Sequence, residues 1–275
     1  MSTNVSRIAV ATLVLAVIGF FAWQVIIFQM AERRWEDARV KGEKLLESGQ
    51  LSDAESHFEN SLDAARTIGP EDPRLDDALM KLAEVRVSEG KFQETEYLYM
   101  QAIENRRMRY GGTSPQLADA QARLAHAYLM QDEILNAEGF YNQALDTWDQ
   151  AGRSESAAAL PSYVGLAEVL VKEGKLDKAQ KQYERARQIA DRLTDIEPVV
   201  VANLYRGLAD VMEQRGEQTE AEGLRQKAAA LNPSTPTPVP TATDTVAPVP
   251  TPTQAVPCGV GAPPAPQRPD PAPIR

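Results

Sequence analysis

Few side chains in this sequence have the types and spacing that catalysis or metal binding requires. The two histidines, His57 and His126, lie far apart, and neither stands in a ligand spacing such as His-Glu-x-x-His. A lone cysteine, Cys258, cannot complete a paired-cysteine metal or haem motif. Aspartate and glutamate are abundant, but no phosphate-binding glycine loop or nucleophile elbow accompanies them. We therefore predict no catalytic residue, no metal and no cofactor, and a protein that is not an enzyme.

The overall charge argues against one class of partner. The 275-residue chain has a formal net charge of -10 and a pI of about 4.9. Nucleic-acid binding depends on a concentrated basic face that neutralises phosphates, and the sequence contains no such face. We therefore predict that nucleic acid is not a partner. Because a single cysteine forms no internal disulfide, cysteine usage does not indicate the redox compartment.

The elements that must position any binding side chains follow a strict repeat. The pair Leu-Ala recurs in steps of 42 residues, beginning at Leu82, Leu124, Leu166 and Leu208. A glycine or an aspartate ends the predicted first helix of each of five copies, at Gly49, Gly90, Asp132, Gly174 and Gly216. A fixed period of this size indicates one supersecondary unit that buries its apolar face against the next copy.

Each copy continues with a helical pattern of small and aromatic residues. A small residue stands five positions after the helix end, at Ala54, Thr95, Ala137, Ala179 and Ala221. An aromatic residue follows four positions later in the first four copies, at Phe58, Tyr99, Tyr141 and Tyr183. Small residues let neighbouring helices approach closely, and this spacing is typical of an amphipathic helix. Each copy is therefore predicted to be a helical hairpin.

These positions resemble the tetratricopeptide repeat family over roughly residues 35 to 233. The period of 42 residues exceeds the family's usual length of about 34, and the linkers at 69–73 and 111–115 are similar to those in the longer repeats of kinesin light chains. Light-chain-type repeats carry an asparagine before Leu-Ala, which is replaced here by Lys81, Arg123, Gly165 and Gly207, so motor association is not implied. The resemblance implies an all-α fold, a right-handed α-solenoid of about five hairpins near 35–68, 76–109, 118–151, 160–193 and 202–232.

In this family the first helix of each hairpin lines a concave groove, and the resemblance implies that nine polar side chains of this chain face into it. They are Arg39, Glu43, Lys81, Glu84, Arg123, His126, Glu168, Arg206 and Asp210. Rows of basic and acidic side chains can select a protein or peptide by complementary charge. The alternative is that the residues form pairs on solvated helix faces, worth roughly 0.2–0.5 kcal/mol each.

The N-terminal segment predicts a membrane anchor. The 21 residues from Ile8 to Phe28 include no ionisable side chain, and at about 1.5 Å per residue they cover the ~30 Å hydrocarbon layer. The alternative is a cleaved signal peptide. However, the run exceeds the roughly 7–15 residues of a typical hydrophobic region, and residues 29–31 offer no small-x-small cleavage site. Trp35 lies either at the membrane interface or in the core of the first hairpin.

Two features of this single-pass anchor stay open. Nothing between Ile8 and Leu46 breaks a helix except the tolerated Gly19 and Gly42, so the span either runs straight into the first hairpin or joins it through a flexible segment at 30–34. Basic residues after the span favour repeats in the cytoplasm, but large domains can translocate regardless of flanking charge. The composition of the C-terminal tail supports export, so we expect the repeats in a bacterial cell envelope, outside the cytoplasm.

The C-terminal residues differ from the rest of the chain in composition. Residues 233–275 contain 14 of the 19 prolines, with threonine and alanine between them. Such a segment cannot pack a core and favours extended polyproline II, so we predict a disordered tail. Cys258 in this tail is either an incidental free thiol or a point of cross-linking.

The predicted organisation is therefore an anchor over residues 1–30, a solenoid over 31–232 and a tail over 233–275. Stacked hairpins present an extended binding surface and no enzyme-like pocket. We predict a membrane-anchored scaffold or adaptor that recruits other proteins to the membrane surface. The alternative is a permanent accessory subunit of a larger membrane complex.

Overall fold

In the computed structural model the described residues are 2–193 and 196–231, with side chains described from residue 13 onward. Within them the chain forms ten α-helices and no strand. In chain order they are α1 (Ser2–Glu47), α2 (Leu51–Ile68), α3 (Pro73–Ser88), α4 (Phe92–Tyr110), α5 (Pro115–Met130), α6 (Ile134–Gln150), α7 (Leu160–Lys172), α8 (Leu176–Arg192), α9 (Pro198–Gln214) and α10 (Gln218–Leu231). The predicted tail lies outside the described residues.

Successive helices pair into five hairpins stacked as an α-solenoid, which confirms the predicted fold class. Each hairpin turns where the repeat predicted a helix end. The φ angles there are positive: Gly49 74°, Gly90 73°, Asp132 61°, Gly174 72° and Gly216 84°. Glycine adopts this left-handed conformation without steric cost, and aspartate tolerates it better than most residues. Local backbone chemistry therefore sets the hairpin turns.

The core follows the predicted pattern of small and large residues. The small residues of the second helices are at most 1% exposed: Ala54, Thr95, Ala137, Ala179 and Ala221. The aromatics one turn later are at most 3% exposed: Phe58, Tyr99, Tyr141 and Tyr183. Most of these residues belong to one apolar cluster that extends from the first hairpin to the last. Close helix contacts and large rings thus alternate along one continuous core.

Helix α1 joins the N-terminal segment to the first hairpin as one continuous helix of 46 residues. Its C-terminal part packs in the solenoid, where Ala31 and Ala38 are buried and Trp35 contacts the core cluster. Trp35 is therefore a packing residue of the first hairpin. Of the two predicted junctions, the structure has the uninterrupted helix and not the flexible joint.

The N-terminal part of α1 is apolar and exposed. From Leu13 onward this helix reaches a mean hydropathy of 2.2 over a window in which no residue is buried. By length and composition it can cross a membrane, although a signal sequence near an N-terminus meets the same criterion. It is the single helix of this kind among the described residues.

The last hairpin differs from the other four at its aromatic position. Arg225 of α10 stands there, and its Nη2 donates to a carboxylate oxygen of Asp210 at 3.0 Å and also pairs with Glu213. A terminal hairpin has no further copy to cover it and needs a polar outer face. The Arg225 guanidinium provides this polar face. An aromatic ring at the same position would have no following hairpin to pack against.

Candidate functional site

The predicted site residues lie on α1, α3, α5, α7 and α9, the first helices of the five hairpins. From the second hairpin onward these helices also contact one another, α3 with α5, α5 with α7, and α7 with α9. Their polar positions therefore form one surface that runs over successive hairpins. We call this surface the groove.

Several predicted charges pair with each other in the groove. On α1, Nη1 of Arg39 donates to a carboxylate oxygen of Glu43 at 2.9 Å. On α3, Nζ of Lys81 lies 3.6 Å from the Glu84 carboxylate. From α5, Nη1 of Arg123 reaches back to the same Glu84 carboxylate at 3.3 Å. Lys81, Glu84 and Arg123 thus meet across the second and third hairpins.

A second row of carboxylates, which the sequence prediction omitted, lies one helical turn earlier. These residues are Glu36, Asp77 and Asp119, at spacings of 41 and 42 residues. Glu36 accepts from Nη2 of Arg39 at 2.7 Å, and Asp119 accepts from Nε of Arg123 at 3.1 Å. The spacing is visible in the sequence, but the family resemblance pointed to other positions of the first helix.

The groove deepens into an open cavity of about 360 Å³ between α5 and α7. Three of the predicted residues line it, Arg123, His126 and Glu168. Tyr141 and Val164 contribute to its apolar wall. The structure therefore brings the central predicted residues together around one concavity.

Four further predicted residues lie toward the two ends of the groove. Arg206 on α9 donates from Nη1 to Oδ1 of Asn203 at 2.7 Å. Asp210 is engaged by Arg225 of the last helix, and Arg39 pairs with Glu43 at the other end of the solenoid. None of these four predicted residues lines the cavity in the described part of the chain.

Glu168 is the cavity carboxylate without an ionic partner in the described part of the chain. The loss of hydration inside the concave surface raises the pKa of Glu168. Lys172, one turn later, opposes this rise in pKa only in part, and its ammonium binds Asp132 at 2.7 Å. Desolvation also raises the pKa of Asp77 two hairpins earlier. Glu168 is therefore an exposed acceptor at the open side of the cavity, and nearby protein atoms remove part of its hydration.

His126 contributes a polar group of a different kind. Desolvation and the nearby Arg123 guanidinium lower its pKa, while Glu84 opposes them. The ring is therefore neutral at pH 7, with one nitrogen that donates and one that accepts. No group of three His, Cys, Asp or Glu is placed to hold a metal ion in residues 2–193 and 196–231.

Two glycines allow aromatic rings of one hairpin to pack closely on the first helix of the next hairpin. A Cβ atom at Gly165 would lie 2.1 Å from Cζ of Tyr141, and one at Gly207 would lie 2.4 Å from Oη of Tyr183. The two rings therefore pack directly against the backbone of the next first helix. In the sequence, both glycines stand where light-chain-type repeats carry an asparagine. The sequence did not reveal the ring contacts that require glycine at these positions.

We expect replacement of Glu168 by glutamine to make the protein more stable at pH 7. The folded-state pKa of Glu168 is raised above its unfolded value, so its favourable contribution is complete below the unfolded pKa and is lost as the pH rises through the folded pKa. Glutamine has no proton to lose and avoids this cost. Thermal unfolding of the full chain in detergent, measured from acid to neutral pH, checks the difference.

The matched control is Glu104→Gln, which removes the same charge from an exposed position of α4. A Glu168→Gln variant whose stability relative to the wild type is the same at every pH would contradict the assignment of a desolvated carboxylate.

A family model for the tetratricopeptide repeat matches residues 74–150 and 157–234. These ranges cover more than half of the chain and contain the second to fifth hairpins. The chain belongs to the tetratricopeptide repeat family. Proteins of this family generally act by binding other proteins, so a protein-protein interaction scaffold is the function class that the fold supports. No curated protein matches the chain.

Solved structures agree with this assignment. BtubC (BKLC) from P. vanneervenii aligns with a TM-score of 0.60 and 22% identity over 80% of this chain and 96% of that one. A putative kinesin light chain of Podosopora anserina with nearly identical TPR-like repeats aligns with a TM-score of 0.57 and 22% identity over 72% and 94%. TTC0263, a thermophilic TPR protein of Thermus thermophilus, aligns with a TM-score of 0.52 and 19% identity over 73% and 92%. At these identities the likeness concerns the fold, and the similarity to kinesin-light-chain-like repeats is confirmed.

Proposed function

We propose that this tetratricopeptide repeat protein is a membrane-anchored, non-enzymatic scaffold that binds a basic segment of a partner protein in its groove. The observation that carries the proposal is Glu168, an exposed carboxylate that lines the central cavity without an ionic partner among the described residues. A partner's lysine or arginine would supply the missing charge. The protein would thereby hold its partner at the membrane surface.

Charge along the whole groove supports a basic partner. The carboxylates of the two rows are Glu36, Glu43, Asp77, Glu84, Asp119, Glu168 and Asp210. The same first helices supply fewer cations, namely Arg39, Lys81, Arg123 and Arg206, while Arg106 and Arg225 of the second helices bind Asp119 and Asp210. Electrostatic complementarity of this kind steers a partner and sets its register along the binding surface.

The cavity itself suits a long basic side chain. Tyr141, Val164 and Pro161 on its wall can contact the methylene stem of a lysine or arginine. The charged end would then reach the Glu168 carboxylate and donate a charge-assisted hydrogen bond to it. Because Arg123 is already held by Asp119 and Glu84, it competes little for Glu168.

The anchor in this proposal is the exposed apolar part of α1. An apolar helix of this length is stable when its side chains face lipid and its backbone groups are paired within the helix. The uninterrupted α1 supports this role, since a rigid helix transmits the position of the membrane directly to the first hairpin. Residues 1–30 would then form the anchor and 31–232 the scaffold.

We place the repeats outside the cytoplasm, in a bacterial cell envelope. Residues 233–275 have the threonine and proline content of exported linkers, and a large domain can follow a signal-anchor segment whatever its flanking charge. Protease added to spheroplasts should digest the repeats if this orientation is right. Complete protection from the outside would place them in the cytoplasm.

Flotation of the full chain with lipid vesicles tests the anchor and the groove together. We expect the chain to float with the vesicles and to carry a fluorescent peptide of alternating lysine and alanine with it. A peptide of alternating glutamate and alanine should stay at the bottom of the gradient. Glu168→Lys should abolish most of the capture, because the cavity would then repel the basic side chain.

The control is Glu104→Lys, which makes the same change of charge on an exposed part of α4, outside the groove. Equal loss of the lysine peptide in both variants would mean that net charge alone governs capture, and the cavity assignment would be wrong. A partner that copurifies from native membranes in fixed stoichiometry and resists high salt would instead support the alternative role of a permanent accessory subunit.

A further inference from the structure

The start of the second hairpin lies beside the part of α1 that leaves the apolar segment. Cζ of Arg74, at the beginning of α3, is 6.0 Å from the ring centre of Phe28 and 5.7 Å from that of Trp35. Its Nη2 is 2.6 Å from a carboxylate oxygen of Glu32. The start of α3 is therefore level with residues 28–35 of α1.

The end of α4 lies at the same level. Nη2 of Arg109 donates to the carbonyl oxygen of Pro70 at 3.3 Å, in the loop that precedes α3. The same guanidinium pairs with the buried carboxylate of Asp76, near the start of α3. Two elements of the second hairpin, its first residues and its last, thus meet next to the exit of the apolar helix.

This part of the surface exposes amphipathic and basic side chains. Met108 is 79% exposed and Tyr110 is 41% exposed at the end of α4. Cζ of Arg109 lies 5.7 Å from the Tyr110 ring centre. Arg107, which precedes Met108, is also exposed. We call the loop 69–73 and the end of α4 at 107–110 the proximal edge.

We propose that the proximal edge lies in the lipid headgroup layer of the bilayer that α1 crosses. This inference rests on the proposed anchor and adds a second contact between the solenoid and the membrane. If residues up to Phe28 are in hydrocarbon, the residues level with 28–35 are at the lipid interface. The partner is therefore a phospholipid surface.

The chemistry of the proximal edge fits that partner. A tyrosine places its ring among acyl chains and its hydroxyl among headgroups, and an arginine binds phosphate oxygens through a planar set of donors. Asp76 and Glu32 are already paired with Arg109 and Arg74, so they oppose phosphate little. Glu71 remains as an exposed acid of the loop, and it points to headgroups that are not densely anionic.

The test measures the depth of nitroxide labels in the membrane. Cysteine is introduced singly at Val17, Tyr97 or Met108 in a full chain carrying Cys258→Ser, and each protein is labelled and reconstituted in vesicles of phosphatidylcholine and phosphatidylglycerol. Tyr97 is the matched control because it lies on the same helix as Met108, is 63% exposed, and is about 16 Å further along the axis. Collisions with a water-soluble nickel chelate and with oxygen report the depth.

We expect the Met108 label to lose collisions with the nickel chelate and to gain collisions with oxygen relative to the Tyr97 label. The Val17 label should be shielded from the chelate most strongly. If Val17 is shielded but Met108 and Tyr97 are equally accessible, the proximal edge is not at the interface and the anchor stands. If Val17 is as accessible as Tyr97, the anchor itself is wrong and the inference fails with it.

Discussion

Phe58→Ala should lower the free energy of unfolding of the first hairpin by about 3–5 kcal/mol. The Phe58 side chain is 0% exposed on α2, and its ring packs on the backbone of α1 at Gly42, where a Cβ atom would lie 2.8 Å from Cε1. Alanine removes this ring from a site that the surrounding helices cannot close. Because α1 continues into the apolar segment, the loss also loosens the solenoid from its proposed anchor.

The measurement is hydrogen exchange of α2 in the full chain in detergent, because each hairpin of a repeat protein contacts only its neighbours and the first can open before the rest. Tyr97→Ala is the matched control, since this aromatic residue is 63% exposed and its loss should change stability by about 0.5 kcal/mol or less. Protection of α2 that is unchanged in Phe58→Ala would contradict the packing described here.

We expect Gly165→Ala to destabilise the solenoid by about 1–3 kcal/mol, although alanine favours a helix over glycine by about 1 kcal/mol. The added Cβ would lie 2.1 Å from Cζ and 2.2 Å from Oη of Tyr141. This ring is 2% exposed between the third and fourth hairpins, and it borders the cavity on one side. The methyl group must therefore displace the ring from its packed position or separate α6 from α7.

A second glycine provides the control for this substitution. Gly139 is also helical, on α6, but a Cβ there has no atom within 4 Å, so Gly139→Ala should raise stability by roughly 0.5–1 kcal/mol. Urea unfolding of the full chain in detergent compares the two variants. Removing the ring in Tyr141→Ala should abolish the additional cost of Gly165→Ala. Equal stabilisation by both glycine replacements would contradict the close contact at Gly165.

The groove shows the limit of what the residue pattern predicts. The repeat places Arg123, His126 and Glu168 on equivalent first helices, and the structure places them around one cavity. The pattern did not distinguish Arg123, which binds two carboxylates, from Glu168, which has no ionic partner among the described residues, because that difference depends on which neighbours reach each charge. The carboxylates Asp77 and Asp119 recur with the same period, but only the structure shows which cations lie beside them.

What the sequence by itself determined is the part of the molecule that depends on local interactions. Positive φ angles at Gly49 and its equivalents, small residues at helix crossings and aromatics one turn later recur in each copy, so the hairpins and their order follow from short-range spacing. The apolar composition of 8–28 likewise depends on no other part of the chain.

Only the tertiary structure decided which distant residues meet. Tyr141 of the third hairpin contacts Gly165 of the fourth. Arg74, at the start of α3, lies beside Phe28 of α1. Such contacts depend on the angle and the distance between packed helices, which residue types constrain but do not specify. For the same reason the continuity of α1 into the solenoid, left open by its helix-compatible sequence, was decided by the packing of Ala31, Trp35 and Ala38 against the first hairpins.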